Sequence, residues 1–259
     1  MGIVTEKLNQ VEAHLNYVTD SGSGQKSVPV HDARAVLDEL SLEQQGFILR
    51  RHKTAVTNFF DEAEVRAVYY PEVEQLLRES TGAVRAVAFE HDVRSASKAE
   101  RAANGARQPV RVVHDDYTEK SAPERVRLYL PREAEALLKE RYAVINVWRP
   151  IKGPVLDTPL AVCDAESIVE ADLIPTEEGV KHEVYLFDFN PNHRWYYFSA
   201  MTTSEVLLFK CFDSSQNSPA RVTAHTAFDL PTMTVPVQPR QSIEVRALVF
   251  FSRVGTMTA

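Results

Sequence analysis

The feature that most constrains the fold is a series of short, apolar, β-prone segments in the second part of the chain. Clusters of Pro, Asn, Asp, Ser or Gly separate these segments, as is typical of strands that are joined by turns. Many short strands with frequent turn signals predict a β-sandwich or a closed barrel. The predicted strands are 83–89, 110–117, 142–148, 184–189, 195–199, 206–212, 221–228 and 242–251.

The first third of the chain has a different pattern, which predicts helices. A first helix is expected from Ser41, because Gln44 lies at the position of a capping box. A second helix is predicted over 61–80, where apolar residues recur every three or four positions. Gly82 follows it and is a typical residue at the end of a helix.

These patterns together indicate one domain that is mainly β with flanking helices. The length of 259 residues is compatible with a single all-β domain. We therefore expect one domain over 1–259, in which a mostly helical N-terminal region, 1–82, precedes a β-rich core, 83–251. Within the core, the polar segment 95–108 is predicted to be an exposed loop, and 131–141 a short helix.

The composition of the chain indicates which kinds of molecule the protein does not bind. The net charge is −7, and no run of Lys and Arg provides the basic patch that nucleic acids require. No apolar segment is long enough to span a bilayer. The two cysteines, Cys163 and Cys211, do not form a Cys-x-x-Cys pair and are expected to be reduced thiols. We therefore expect a cytoplasmic protein with a small-molecule substrate and without a nucleic-acid or membrane partner; the sequence contains no signal for its oligomeric state.

A candidate metal site begins with His114 and Asp116 in the predicted strand 110–117. Residues two apart in a strand lie on the same face, so the imidazole and the carboxylate should point in one direction. His225 lies in the middle of another predicted strand and can provide the third ligand. Two histidines and one carboxylate on one face are the facial triad of non-heme Fe(II) oxygenases, which leaves positions open for other ligands.

A candidate anion site lies at the start of the last predicted strand. Arg240 and Ser242 share one face, and a guanidinium can hold a carboxylate through two parallel hydrogen bonds. These residues are predicted to hold the far carboxylate of a keto acid such as 2-oxoglutarate. Lys210, a cation in an apolar strand, is the rival anchor. Arg246 lies on the same face as Arg240, but we expect it to pair locally with Glu244.

Further residues are candidates for contacts with the keto acid or the substrate. Asn146 and Trp148 share a strand face, and Asn146 is predicted to donate to the keto acid or the substrate. Arg94 is a candidate for a substrate carboxylate, although a surface ion pair is an alternative. Trp195 belongs to an aromatic cluster, most of which we expect in the core, and it is kept as a substrate-binding candidate.

Six segments of the chain together resemble the asaB-type hydroxylase/desaturase family, which is related to the cephamycin methoxylase accessory protein. The resemblance covers roughly 45–251 and implies a double-stranded β-helix, or jelly-roll. It also implies hydroxylation, desaturation or oxidative cyclisation of a small metabolite of secondary metabolism, with Fe(II) and 2-oxoglutarate. Gln241 stands where the family has Glu, on the face that points away from the predicted site. The segments are 114–118, 146–151, 195–197, 205–210, 225–228 and 240–246.

Other functions remain open on the residues alone. A zinc ion held by the same three ligands would support a metal-dependent hydrolase or isomerase. A non-catalytic binding module on the same scaffold is also compatible, since fold does not fix function. The sequence contains no Gly-x-Ser-x-Gly elbow and no phosphate-binding Gly-x-x-x-x-Gly-Lys loop, which argues against an esterase and a nucleotide-binding domain.

Overall fold

The computed structural model describes residue 3 and residues 8–19, 22–176, 183–230 and 237–251. Strands dominate this part of the chain. In order they are β1 Gln10–Thr19, β2 Gly22–Asp32, β3 Phe47–Arg51, β4 Arg85–Ser95, β5 His114–Asp115, β6 Tyr142–Lys152, β7 Leu160–Cys163, β8 Leu173–Pro175, β9 Tyr185–Phe187, β10 Trp195–Tyr197, β11 Glu205–Asp213, β12 His225–Ala227 and β13 Gln241–Phe250.

The described strands form two sheets. One has eight strands in the order β1-β2-β10-β7-β12-β5-β9-β8, and the other has five in the order β3-β11-β6-β13-β4. Strand pairs are antiparallel except β2 and β10, which run parallel. This architecture confirms the prediction of a mainly β jelly-roll fold.

The five-stranded sheet contributes most of the large hydrophobic core. β11 and β13 are buried along their whole length, and β6 is buried from Tyr142 to Pro150. A helix packs on β4 and β13, so this sheet has little contact with solvent on either face. Burial on both faces explains why β11 and the first part of β6 are nearly continuous apolar runs in the sequence.

The helices are short. They are α1 Glu62–Glu64, a π-helical turn Val65–Tyr69, α2 Tyr70–Thr81, α3 Lys98–Asn104, α4 Ser121–Tyr129 and α5 Ala134–Leu137, with 3₁₀ turns at Ala33–Glu39, Ala165–Ser167 and Glu170–Asp172. The predicted helix over 61–80 is confirmed: Asp61 caps it through the N–H groups of Ala63 and Glu64, and Gly82 ends it with φ of 70°. Among the described residues, no helix is long and apolar enough to cross a membrane.

The prediction that 1–82 is mostly helical is wrong. β1, β2 and β3 lie there, and the helix predicted from Ser41 is a turn followed by β3. In that turn Ser41 Oγ accepts from the Glu43 N–H, and the side chain of Gln45 accepts from the Ser41 N–H. The same side-chain bonds that cap helices also stabilise turns. The residues after the turn form a strand because they pair with β11, which is far away in the sequence.

Other predicted elements differ in length or type. The predicted loop 95–108 contains α3, and of the helix predicted over 131–141 only α5 is formed, with α4 before it. The predicted strands 110–117 and 221–228 shrink to β5 and β12. Each of these strands begins at its histidine, His114 in β5 and His225 in β12.

Candidate metal centre and cosubstrate pocket

Three predicted ligands meet at the inner side of the eight-stranded sheet. His114 of β5 is paired directly with His225 of β12, and Asp116 follows β5. Ligand atoms of the three side chains lie within 4.8 Å of one another. The two imidazole ring centroids are 4.3 Å apart, and His114 Nε2 lies 3.8 Å from Asp116 Oδ1. The strand register therefore brings together residues that are far apart in sequence.

Each histidine is oriented by a backbone carbonyl two residues before it. His114 Nδ1 donates to Val112 O at 2.9 Å, and His225 Nδ1 donates to Thr223 O at 3.0 Å. These bonds leave Nε2 of each ring as the nitrogen that can bind a metal. Burial, with His225 nearby, lowers the pKa of His114 to about 4, and burial also lowers the pKa of His225. Both rings are therefore neutral, which is the form that ligates metals.

Asp116 is held as a carboxylate by two donors from the other sheet. Its Oδ2 accepts from Asn146 Nδ2 at 2.7 Å and from Arg246 Nε at 3.0 Å. Burial alone would raise the pKa of Asp116, but Arg246 and the neighbouring histidines hold that pKa well below its usual range. Asn146 thus donates to a metal-ligand candidate, and its contact with the keto acid or the substrate stays a prediction.

Arg240 is a buried cation without an acidic side-chain partner in the described part of the chain. It is 2% exposed, donates from Nη1 to Thr158 O at 2.7 Å, and lies over the Trp148 ring at 5.4 Å from its centroid. Burial, with repulsion from Arg94, lowers its pKa to about 9. Arg240 Nε and Ser242 Oγ also have no hydrogen-bond partner among the described residues. An unpaired buried cation is costly, so this end of the site favours an anion.

A narrow pocket connects the two halves of the site. His114 and His225 lie along it together with Arg240, Trp148 and Arg94. The remaining lining residues are Val110, Leu160, Ala227 and Glu244. The wall of this pocket therefore carries two metal-ligand candidates together with a buried cation that has no acidic side-chain partner in the described part of the chain.

A larger cavity of about 710 Å³ also reaches His114 and Asp116, and its size is in the range of small-molecule sites. One part of its wall is apolar and the other is charged. The apolar part consists of Val110, Val112, Val184 and Leu186; the charged and polar part consists of Glu62, Arg66, Glu90, His91, Asp92, Arg94, Arg107 and Arg246. We call this cavity the substrate chamber. Another cavity, of about 410 Å³, is lined by none of the metal-ligand candidates.

Lys210 is placed away from the site, which contradicts its prediction as a cosubstrate anchor. Its Nζ lies 2.7 Å from Asp213 Oδ2, and both side chains are almost fully buried. The ring of the preceding residue, Phe209, lies 4.7 Å from that of His225. Since neighbours in a strand point to opposite faces, Lys210 points away from the metal ligands.

Trp195 is also placed elsewhere, which contradicts its prediction as a substrate contact. Its Nε1 donates to Tyr17 OH at 2.7 Å, and that hydroxyl contacts His193 Nδ1 at 3.0 Å. The Nε2 atom of His193 then lies 3.0 Å from Asp172. Trp195 and Tyr17 belong to a hydrophobic cluster separate from the large core, and Trp195 lines neither the narrow pocket nor the substrate chamber.

Arg246 is the site residue whose role the sequence analysis missed. It pairs with Glu244, as predicted, but it also reaches Asp116, which lies 130 residues away in the sequence. The signal was its position on the same strand face as Arg240 and Ser242. Nothing in the sequence connected that face to Asp116.

Known proteins resemble the chain over nearly its whole length. Residues 5–250 match the model of a family described as an oxidoreductase/YMDC permease-like domain. Hydroxylase/desaturase CTB9 of Cercospora beticola is 35% identical in an alignment that covers 87% of this chain and 76% of that protein. The Fe(II)/2-oxoglutarate-dependent dioxygenase nvfI of Aspergillus novofumigatus is 33% identical in an alignment that covers 96% of this chain and 90% of that protein.

A solved structure gives the same result for the fold. The iron and alpha-ketoglutarate-dependent endoperoxidase NvfI aligns with a TM-score of 0.80 at 31% identity, covering 95% of this chain and 98% of that one.

Proposed function

The chain belongs to the family of Fe(II)- and 2-oxoglutarate-dependent hydroxylase/desaturases, and we propose that His114, Asp116 and His225 form its iron site. It is an oxidoreductase whose cofactor is Fe(II) and whose cosubstrate is 2-oxoglutarate. We propose further that Arg240 and Ser242 hold the far carboxylate of 2-oxoglutarate. The observation that carries the proposal is the convergence of three ligand atoms within 4.8 Å.

The residues present fit an iron ion. His225 Nε2 is buried and has no hydrogen-bond partner among the described residues. Two neutral imidazoles and one carboxylate are the donor set of a facial triad. Bound Fe(II) and 2-oxoglutarate supply the oxidising chemistry, in which dioxygen is consumed and succinate and CO₂ are released.

The remaining work is done by the chain's own residues. The Arg240 guanidinium offers a positive charge and an unused Nε donor in the wall of the narrow pocket that also contains His114 and His225. Trp148 lies against that guanidinium. Asn146 and Arg246 hold Asp116 from the five-stranded sheet. Arg240 and Arg246 are buried, and burial strengthens the interaction of a charge with an oppositely charged group.

The size of the substrate chamber is compatible with a small-molecule substrate, and we propose that this substrate is a secondary metabolite. Hydroxylation, desaturation or oxidative cyclisation are the reactions that we propose for it. Arg94 lines both the chamber and the narrow pocket, so we propose that it contacts the substrate next to the cosubstrate. The pairing of β1–β3 with strands of both sheets supports the single domain predicted over 1–259. The cytoplasmic location and the absence of nucleic-acid and membrane partners stay predictions.

The test is an anaerobic titration of the iron-loaded protein with 2-oxoglutarate. Chelation should give a weak visible charge-transfer band, and admitting oxygen should produce succinate when a substrate is present to accept the second oxygen atom or to lose two hydrogen atoms. His225→Ala should lose both signals. His193→Gln is the matched control, because it replaces a buried histidine that lies outside the site, and it should keep both.

A folded, iron-loaded wild-type protein without the band would refute the iron site and favour the other two functions. A hydrolase or isomerase would turn over under argon without succinate. A binding module would turn nothing over.

A further inference from the structure

Arg246 contacts three different carboxylates at once. Its Nε lies 3.0 Å from Asp116 Oδ2, its Nη1 lies 3.2 Å from Asp92 Oδ2, and its Nη2 lies 3.1 Å from Glu244 Oε1. Each nitrogen of the guanidinium therefore has its own acidic partner. The plane of the guanidinium is fixed by these contacts, since the donors of arginine form a rigid fork.

The contact with Arg246 determines which oxygen of Asp116 is available to a metal. Oδ2 already accepts two hydrogen bonds, from Arg246 and from Asn146. Oδ1 is the oxygen that lies beside the metal-binding nitrogen of His114, at 3.8 Å. The carboxylate therefore presents a single oxygen to the position where the three ligands converge.

Asp92 holds Arg246 from the neighbouring strand. It is 7% exposed and lies on β4, opposite Glu244 of β13 in the strand register. It also accepts from Arg94 at 3.0 Å and forms an ion pair with Arg107 at 2.9 Å, so three guanidinium groups surround this one carboxylate. Arg246 is thus held on two sides, by Asp92 and by Glu244, and cannot swing away from Asp116 without breaking both pairs.

We propose that Arg246 is a positioning residue that restricts Asp116 to coordination through Oδ1, and that Asp92 keeps Arg246 in place. The inference rests on the iron site proposed above. One-oxygen coordination matters because 2-oxoglutarate chelates through two oxygens and dioxygen needs a further position. If Asp116 rotated and bound through both oxygens, it would occupy a position that the cosubstrate or dioxygen requires.

The alternative role for Arg246 is to neutralise the buried charge of Asp116. The two roles differ in what lysine can replace. Lys keeps the positive charge but lacks the planar fork, so it cannot contact Asp116, Asp92 and Glu244 in the same geometry. Rescue by Lys would indicate charge compensation, whereas failure of Lys indicates that the fork is required.

The experiment measures 2-oxoglutarate binding to the Co(II)-loaded protein under argon, without substrate. Co(II) binding is first titrated by its visible absorption, and 2-oxoglutarate is then titrated against the same signal. Partners that orient a metal ligand typically contribute about ten- to a hundred-fold in metal affinity or activity. Arg246→Lys and Arg246→Gln should both still bind Co(II), while the Kd for 2-oxoglutarate rises at least about tenfold.

Asp92→Asn should shift the 2-oxoglutarate Kd in the same direction by a smaller factor, since Arg246 and its charge remain. Arg107→Gln is the matched control. It removes one exposed guanidinium from Asp92, and in the described part of the chain Arg107 has neither a hydrogen bond nor an ion pair with Asp116. Because the titration contains no substrate, the loss of this residue from the wall of the substrate chamber should leave the Kd for 2-oxoglutarate at the wild-type value. Circular dichroism and a melting curve of each variant establish that it is folded.

Two results would overturn the inference: a wild-type Kd for 2-oxoglutarate in Arg246→Lys, or an equal rise in Arg107→Gln. If instead the wild-type protein bound no Co(II) at all, the proposed iron site itself would fail. Should Arg246→Gln not fold, the Lys and Asp92 variants still decide between the two roles.

Discussion

The role of Arg240 leads to a quantitative prediction about cosubstrate affinity. Replacing Arg240 by Ala removes a buried cation and the two parallel hydrogen bonds that its fork can give to a carboxylate. Hydrogen bonds to charged groups contribute about 1.5–3 kcal/mol, which corresponds to roughly ten- to a hundred-fold in affinity. We therefore expect the Kd for 2-oxoglutarate to rise by roughly that factor in Arg240→Ala, while metal binding is retained.

Arg240→Lys should give an intermediate loss. Lysine keeps the charge but not the fork, and the burial that lowers the pKa of Arg240 to about 9 also disfavours a charged lysine there. The assay is an anaerobic titration of the iron-loaded protein with 2-oxoglutarate, followed by its visible band. The KM for 2-oxoglutarate in succinate formation gives an independent value.

Arg111→Gln is the control for this measurement. Arg111 lies near Thr158, as Arg240 does, but its guanidinium is partly exposed and pairs with Asp229. Its loss should leave the Kd for 2-oxoglutarate unchanged. An unchanged Kd in Arg240→Ala, or an equal rise in Arg111→Gln, would refute the assignment of Arg240 as the anchor and leave the metal site standing.

Three further outcomes are expected at other residues. His114→Ala should abolish turnover and metal binding while circular dichroism shows an intact fold. Lys210→Met should lower the free energy of unfolding by about 3 kcal/mol, because it breaks the buried pair with Asp213. This value is at the low end for a broken buried pair, since Arg141 still contacts Asp213. Urea titration should show the loss of stability, and the Kd for 2-oxoglutarate should not change. Burial lowers the pKa of His193, so the unfolded chain binds a proton that the folded protein excludes, and stability should fall as pH decreases below 6.5. Melting curves at two pH values should show a smaller loss of stability with decreasing pH in His193→Gln than in the wild type. An equal loss in both proteins would contradict this prediction.

The metal-ligand candidates were accessible from the sequence because their signal is local. His114 and Asp116 lie two positions apart next to a strand, and the period of two places them on one face. His225 required only the prediction that its segment is a strand. Arg240 followed from the position of a cation at the start of the last strand.

Contacts between the sheets were not accessible in the same way. The bond from Arg246 to Asp116 depends on how the two sheets pack, and this is not encoded in the spacing of either segment. The direction of a side chain on β11 was also not predictable from the sequence. Since both faces of β11 are buried, its apolar run does not reveal that Lys210 points away from the ligands.

The strands of the N-terminal region had a signal that was overlooked. Ala13, Leu15 and Tyr17 of β1 are buried in alternation with more exposed neighbours. This period of two is typical of a strand with one face on the core. The cap-like residues at Ser41 suggested a helix only because turns and helix starts use the same side-chain bonds.

The three proposed ligands lie at the boundary between the two sheets. The two histidines belong to the eight-stranded sheet, whereas Asp116 is hydrogen-bonded by Asn146 and Arg246 to β6 and β13 of the other. A small slide of one sheet over the other would therefore displace the carboxylate relative to both imidazoles. Packing residues between the sheets, such as Phe209 against His225, thus set the spacing of the proposed metal site, and conservative changes in their volume offer a way to tune it without replacing a proposed ligand.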